Sequence, residues 1–374
     1  MNENKDEVKN EVKDEAGNKI DDMECLYPHS PDVAERETSD GGFSKGWGMH
    51  FIPMEDTIFD VHGHIQLQSF EKADEVLHRH LELVRPLNIS RCAVCSPMMV
   101  RPEALQSPTV FSVDRLAKAE ELAPYLGLSE ITGAIALMIF LHHGNPDAGL
   151  LRECVGRGAC GMKLHNAPIM VEAADPEIWL HDDWAAVFSE IERKGLPVLW
   201  HVTQRLSDSP YTGGGRNTYW KDGWKKGTAF TNEDLLQIYL EVVGKYPGIP
   251  FISAHQLHIG WDRMSNLLDR YPNLFSDTSI GCQVNEGDRM HEADIRFIRD
   301  FFIRYSDRML FGTDSFITDM REGDSVFDED VKEAVIKNHI RFIRQIRIPS
   351  DVLQKVFHGN AERLLRLPAG LRSM

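Results

Sequence analysis

The sequence predicts an α/β chain folded as a TIM-type (β/α)8 barrel, and three observations lead there. From Thr57 onward, eight short apolar runs alternate with amphipathic stretches, the pattern of buried strands followed by covering helices. Several of the strand-like runs end in histidine or aspartate, and barrel enzymes carry their chemistry at the carboxyl ends of strands. The span 57–367 also exceeds the about 250 residues that such a barrel needs, which leaves room for long loops. A doubly wound open sheet is the alternative. No Gly-x-Gly-x-x-Gly follows the first strand to support a dinucleotide site.

Two segments are expected: an acidic tail over residues 1–40 and the barrel, with its closing helices, over 41–374. The tail holds 13 acidic and 5 basic side chains, a net −8 out of −17 for the whole chain. It shows little apolar periodicity and cannot bury enough surface to offset its ordering entropy, so it is expected to be disordered. The aromatic stretch Phe43 to Pro53 is expected to pack as an entry segment. A charge of −17 argues against nucleic acid and anionic membrane surfaces as partners. A local arginine cluster would still accommodate an anionic small molecule. With no bilayer-length apolar run and no signal-peptide pattern, the expected location is the cytoplasm.

The strands are expected at 57–62, 91–96, 133–141, 161–165, 197–201, 250–255, 274–278 and 309–313. Helices are expected at 71–86, 112–125, 147–157, 182–195, 231–246, 261–271 and 291–305, followed by 328–346 and 350–366. In the first strand, His62 and His64 are two apart and project to the same side. Gly63 between them leaves the other side bare for close backbone packing. Such a pair can chelate a metal or, more blandly, form two hydrogen-bonded histidines at a turn. Further along, strand 4 carries Lys163 and His165, strand 5 ends in His201 and strand 6 in His255. Strand 7 carries Asp277, expected to orient a neighbour or cap a loop, and strand 8 ends in Asp314. One histidine at a strand end is unremarkable; repetition around the barrel calls for a shared site.

The motifs FDVHGH (59–64), GMKLH (161–165), PVLWH (197–201), FISAH (251–255), YPNLFSDTS (271–279), LFGTD (310–314) and HGNAERLL (358–365) resemble the amidohydrolase superfamily. The resemblance is to its branch of aminocarboxymuconate-semialdehyde and hydroxybenzoate-type decarboxylases and lactonases. It implies one divalent ion, zinc with manganese as an alternative, held by His62, His64, His201 and Asp314. Imidazole and carboxylate donors suit zinc on chemical grounds too. His255 would then stand beside the water or substrate oxygen as a polarising or proton-shuttling group, and Asp314 would serve as ligand and proton acceptor. Lys163 matches the position of a lysine that is carboxylated and bridging in dinuclear relatives. The G-x-K-x-H pattern instead favours an ammonium that supports the ligands from behind or faces the substrate, with His165 beside it.

The stretch Tyr211 to Phe230 offers glycines for flexibility and aromatics for stacking, which suits a lid or an oligomer contact. Arg205 and Arg216 near it are candidate clamps for a substrate carboxylate. His142 and His143 are expected to face opposite ways, His78 and His80 to be solvated, and the cysteines to be buried thiols. The functional expectation is a metal-dependent hydrolase that opens a C–N or C–O bond of a small organic substrate, an amide or lactone. The alternative is non-oxidative decarboxylation of an aromatic or unsaturated acid. A homodimer is the expected assembly, and the expected partner is a small-molecule substrate.

Overall fold

The computed structural model describes residues 57–67, 70–96, 119–166, 168–169, 174–203, 230–279, 292–318 and 329–367. All of them belong to the unit Ile52–Met374. The acidic segment 1–40, the entry segment 43–53, Arg205, Arg216 and residues 211–229 lie outside the described residues, as do Cys25 and Cys282.

Strands and helices alternate as the hydropathy pattern requires. The first half runs β1 (Ile58–Gln66), α1 (Ala73–Val84), β2 (Ile89–Cys95), α2 (Ala119–Leu126), β3 (Ile135–Phe140), α3 (Ala148–Gly156), β4 (Gly161–His165) and α4 (Asp182–Lys194). The second half runs β5 (Val198–His201), α5 (Asn232–Lys245), β6 (Phe251–Ser253), α6 (Trp261–Arg270), β7 (Leu274–Asp277) and α7 (Glu292–Arg304). Two short strands follow, β8 (Met309–Leu310) and β9 (Ser315–Thr318), and then α8 (Glu329–Gln345). The chain closes with Ser350–Gln354 and Asn360–Leu364, joined through a π-helical turn at Lys355–Gly359.

All strand pairs are parallel, and β1 to β8 neighbour one another in sequence order. The strand β9 pairs with β1. Only residues 311–314 separate β8 from β9, and they cross the seam: Val61 N donates to Phe311 O (2.9 Å), and Asp314 N donates to His62 O (2.6 Å). β8 and β9 are therefore one interrupted eighth strand, and the sheet is a closed (β/α)8 barrel. The interruption falls at Asp314, a non-glycine residue at φ 59°, where the chain leaves the strand geometry and presents a carboxylate.

Alternate residues of each strand serve two cores. Ile135, Leu137, Val198, Trp200 and Met309 face outward and pack under the helices. Ala136, Leu199, Ile252, Phe275 and Leu310 face the barrel axis, where Ala361, Leu364 and Leu365 of the closing segment join them. Cys92 and Cys95 fall one in each core, and with Cys154 and Cys160 they are buried free thiols. On α1, His78 is exposed as expected, but His80 is buried, with its Nε2 4.0 Å from Cys92 Sγ. Position 80 continues the stripe of Ala73, Val76, Leu77, Leu81 and Val84, so the helical period places it inside.

Candidate metal centre

The first strand aims its histidines by means of a bulge. Phe59 and Val61 point to the barrel axis, and strict alternation would send His62 and His64 outward. Pairing with β2 runs Asp60↔Cys92 and then Gly63↔Val94, three steps on one strand against two on the other. That extra residue reverses the phase. Ile65 consequently faces the helices, while His62 and His64 face the axis. Asp60 pins the bulge: its Oδ1 accepts from His62 N and Thr313 N (both 3.0 Å), and its Oδ2 from Thr313 Oγ1 (2.5 Å). On the far side a Cβ at Gly63 would lie 3.1 Å from Val94 Cγ1, so the strands approach closely there, as the glycine suggested.

Three donor atoms converge at this rim. His64 Nε2 lies 3.3 Å from His62 Nε2 and 3.0 Å from Asp314 Oδ1, and His62 Nε2 lies 3.2 Å from the same oxygen. His62, His64 and Asp314 form a group able to hold a metal ion, as do His62, His255 and Asp277. Two imidazole nitrogens and a carboxylate oxygen are the donors zinc accepts, and four donors placed tetrahedrally at about 2.0–2.1 Å stand roughly 3.3–3.4 Å apart. The observed separations fit that spacing. Gly312 makes it possible, because a Cβ there would come within 2.9 Å of His62 Cβ and 3.3 Å of Asp277 Cβ.

Asp277 orients the centre, as the sequence suggested. Its Oδ2 accepts from His62 Nδ1 at 2.6 Å, which turns the Nε2 lone pair into the site. Its Oδ1 accepts from His255 N (2.8 Å), Ser279 N (3.2 Å) and Ser279 Oγ (2.8 Å). Lys163, wholly buried on β4, directs its Nζ at the same His62 Nε2, 2.8 Å away. Burial and the Lys163 charge push His62 well below the ordinary imidazole value, and burial likewise lowers His64, His165, His201 and His255. These rings are neutral near pH 7, the form that binds metal. Burial pushes Asp314 up, but His62, the hydrogen bond to His64 and Lys163 outweigh it and leave the carboxyl below its usual range. For Asp277 burial wins, and its pKa is raised.

His201 sits beside the three-atom group and belongs to neither candidate set. Its Nδ1 is 3.3 Å from His255 Nε2, and its ring stacks on His165 at 4.1 Å between centroids. Its Nε2 is buried and has no hydrogen-bond partner among the described residues. His255 lies beyond the end of β6 and opens a run of four residues, His255 to His258, with φ between 50° and 58°. Left-handed backbone costs about 1–2 kcal/mol per non-glycine residue, so the neighbouring strands must hold this run in place. They do so directly: Thr203 Oγ1 donates to Leu257 O (2.5 Å), His258 Nδ1 bonds Thr203 O (3.2 Å), and Gln256 Nε2 donates to Asp277 O. His258 thereby stacks on His255, with centroids 4.9 Å apart.

A family model described as amidohydrolase matches residues 139–367. This chain belongs to the amidohydrolase family. The matched span contains Lys163, His165, His201, His255, Asp277 and Asp314, while His62 and His64 precede it. The amidohydrolase chain is similar to an uncharacterized TIM-barrel protein from Bordetella bronchiseptica at 14% identity, covering 82% of this chain and 98% of that one, with a TM-score of 0.49. It is similar to 2,6-dihydroxybenzoate decarboxylase from Rhizobium at 14% identity, covering 83% and 98%, TM-score 0.47. A third likeness is to 4-oxalomesaconate hydratase from Rhodopseudomonas palustris at 14% identity, covering 82% and 95%, TM-score 0.49. No curated protein matches the sequence.

Ser279, Thr203, His258 and Asp60 were not singled out from the sequence of this amidohydrolase. The spacing AHQLH (254–258) does repeat a histidine after three residues, and the left-handed run alone brings the two rings together. His142 and His143 also differ from expectation: both are buried, with centroids 4.0 Å apart. They lie past the end of β3, where strand alternation no longer applies. No helix among the described residues is long and apolar enough to cross a membrane.

Proposed function

We propose that this amidohydrolase is a metal-dependent hydrolase that opens a C–N or C–O bond, an amide or a lactone, in a small organic substrate. The observation that carries the reading is the convergence of His62 Nε2, His64 Nε2 and Asp314 Oδ1 at 3.0–3.3 Å. His62 is locked from behind by Asp277, and His201 carries a buried Nε2 with no hydrogen-bond partner among the described residues. Zinc is the proposed ion, with manganese as the alternative. A divalent ion bound there supplies a water of lowered pKa and a Lewis acid for the substrate oxygen.

The remaining work falls to the chain's own groups. Asp314 is the least buried member of the cluster, its side chain 16% exposed against 7% for His64 and 0% for His62. His255 Nε2 stands 3.8 Å from Asp314 Oδ2, where a neutral imidazole can receive a proton and return it to the leaving group. Lys163 and His165 flank the base of the site from β4 as candidate substrate contacts. The test is a panel of lactones and amides assayed with zinc-loaded protein by acid release, which this reading expects to be positive for at least one class. Acid release that is unchanged when bound metal has been removed would overturn it.

The buried Lys163 ammonium favours a second reading. A cation at the base of a site of neutral imidazoles would hold a substrate carboxylate, as non-oxidative decarboxylation of an aromatic or unsaturated acid requires. Carbon dioxide release from a hydroxybenzoate panel, without acid release from the lactones, would decide for it.

A further inference from the structure

We propose that Asp60 is a positioning residue that sets the separation of the two chain segments bearing His62 and Asp314. Phe59 and Val61 face the barrel axis. Strand alternation therefore turns Asp60 the other way, into the buried layer under the helices where its strand partner Cys92 also lies. A polar group in that layer costs free energy unless its atoms are met. Among the described residues its side chain makes three hydrogen bonds, and all of them go to residues 62 and 313. Those two residues lie on opposite sides of the seam that closes the barrel, between β1 and the interrupted eighth strand.

The two segments meet on one shared atom. Asp60 Oδ1 accepts from His62 N and from Thr313 N, each at 3.0 Å. His62 is a donor of the cluster, and Thr313 is the residue before Asp314. Two backbones bonded to a single oxygen cannot drift apart without breaking a bond. Alongside, Asp314 N donates to His62 O at 2.6 Å. The left-handed residue at φ 59° then brings Asp314 Oδ1 to 3.2 Å from His62 Nε2.

Neither backbone bond depends on charge. A carboxyl, a carboxylate and a primary amide all present an oxygen that accepts, and the remaining atom can meet the Thr313 hydroxyl, which both donates and accepts. Thr313 Oγ1 also donates to Ser315 Oγ at 2.9 Å, so its proton has a second place to go. Asparagine should therefore replace Asp60, and alanine should not. The effect on metal rests on the metal-dependent reading above, whereas the effect on the seam does not.

The experiment measures zinc affinity by chelator competition in Asp60→Ala and Asp60→Asn. In metal-free protein it also follows amide hydrogen exchange at Asp314, whose N–H Asp60 does not touch. Asp60→Ala should weaken zinc about 10–100-fold and speed exchange at Asp314, while Asp60→Asn should stay close to the wild type in both. Ile252→Ala, destabilised in the barrel interior away from the seam, should move neither, which separates positioning from a general loss of stability. Folded Asp60→Ala with wild-type zinc affinity overturns the proposal, as does Asp60→Asn that binds zinc as weakly as Asp60→Ala. Should Asp60→Ala fail to fold, Asp60→Asn still decides: retained affinity supports the shared oxygen, and a tenfold or greater loss overturns it. Should wild-type protein bind no zinc, the metal-dependent reading fails and exchange at Asp314 alone decides. Faster exchange in Asp60→Ala than in Asp60→Asn then upholds the seam, and equal exchange overturns it.

Discussion

The floor and the rim of the barrel interior are built by the same strands and obey opposite rules. Two residues along β5, Leu199 gives way to His201; two residues along β7, Phe275 gives way to Asp277. The floor is apolar, and Ala361, Leu364 and Leu365 close it from below. Burying side chains of the Leu, Ile and Phe kind contributes about 1.5–3 kcal/mol each. At the rim, neutral imidazoles, Lys163 and two carboxylates are held out of water, which costs free energy unless each polar atom finds a partner. The difference teaches that a rigid apolar floor lets a few strand positions above it hold groups that oppose folding and carry chemistry.

Single substitutions test the division between floor and rim. His255→Asn alters the rim alone. Turnover on any substrate found should fall by about 10²–10⁴-fold, as expected for loss of a general acid or base, while bound metal stays near the wild-type level. Parallel loss of metal would make His255 a ligand and favour the His62, His255 and Asp277 group. Ile252→Ala alters the floor alone: urea unfolding should show a loss of about 2–5 kcal/mol, with metal content preserved below the transition. If metal were lost before unfolding, floor and rim would not be separable.

Gly312→Ala tests the junction between them. The added methyl would press on His62 Cβ at 2.9 Å and on Asp277, so zinc affinity should drop by about tenfold or more with little change in secondary structure. An unchanged affinity would show that the cluster tolerates displacement.

The smallest effect is on the pH dependence of stability. Nine buried or half-buried histidines have lowered pKa values, among them His339 at about 4 and His80 at about 3, which burial depresses away from the metal cluster. Between about pH 6.5 and 4 the unfolded chain takes up these protons and the folded chain does not, so stability falls as pH falls through that window. Asp60, pushed up to about 7 by burial, acts the other way, as does Asp277, but they are two groups against nine. Melting temperature of metal-free protein should therefore decline from pH 7 to pH 5. His339→Gln should flatten the decline slightly; a steeper one would contradict the sign.

Much of this architecture was legible in the sequence because it depends on periodicity. Runs such as Ile135 to Phe140 and helices such as Asp182–Lys194 fall within a residue or two of the hydropathy pattern. What stayed hidden depends on backbone exceptions. A one-residue bulge between Asp60 and Gly63 decides which way His62 and His64 point, and nothing in composition marks it. Strand 6 ends at Ser253, because residues 255–258 turn left-handed, and strand 8 breaks at Asp314 for the same kind of reason. Ser279 escaped notice since one serine carries no pattern; its meaning comes from Asp277 two residues back and from His62 and His255, both distant in sequence.

The central claim is that the rim binds one divalent ion through His62, His64 and Asp314, with His201 completing the set. Titration of metal-free protein with zinc against a chromophoric chelator tests it most directly. The account predicts close to one equivalent bound per chain, and nearly none in His62→Ala protein whose circular dichroism matches the wild type. Wild-type protein that binds no zinc, or His62→Ala protein that binds it as tightly as the wild type, would contradict the account.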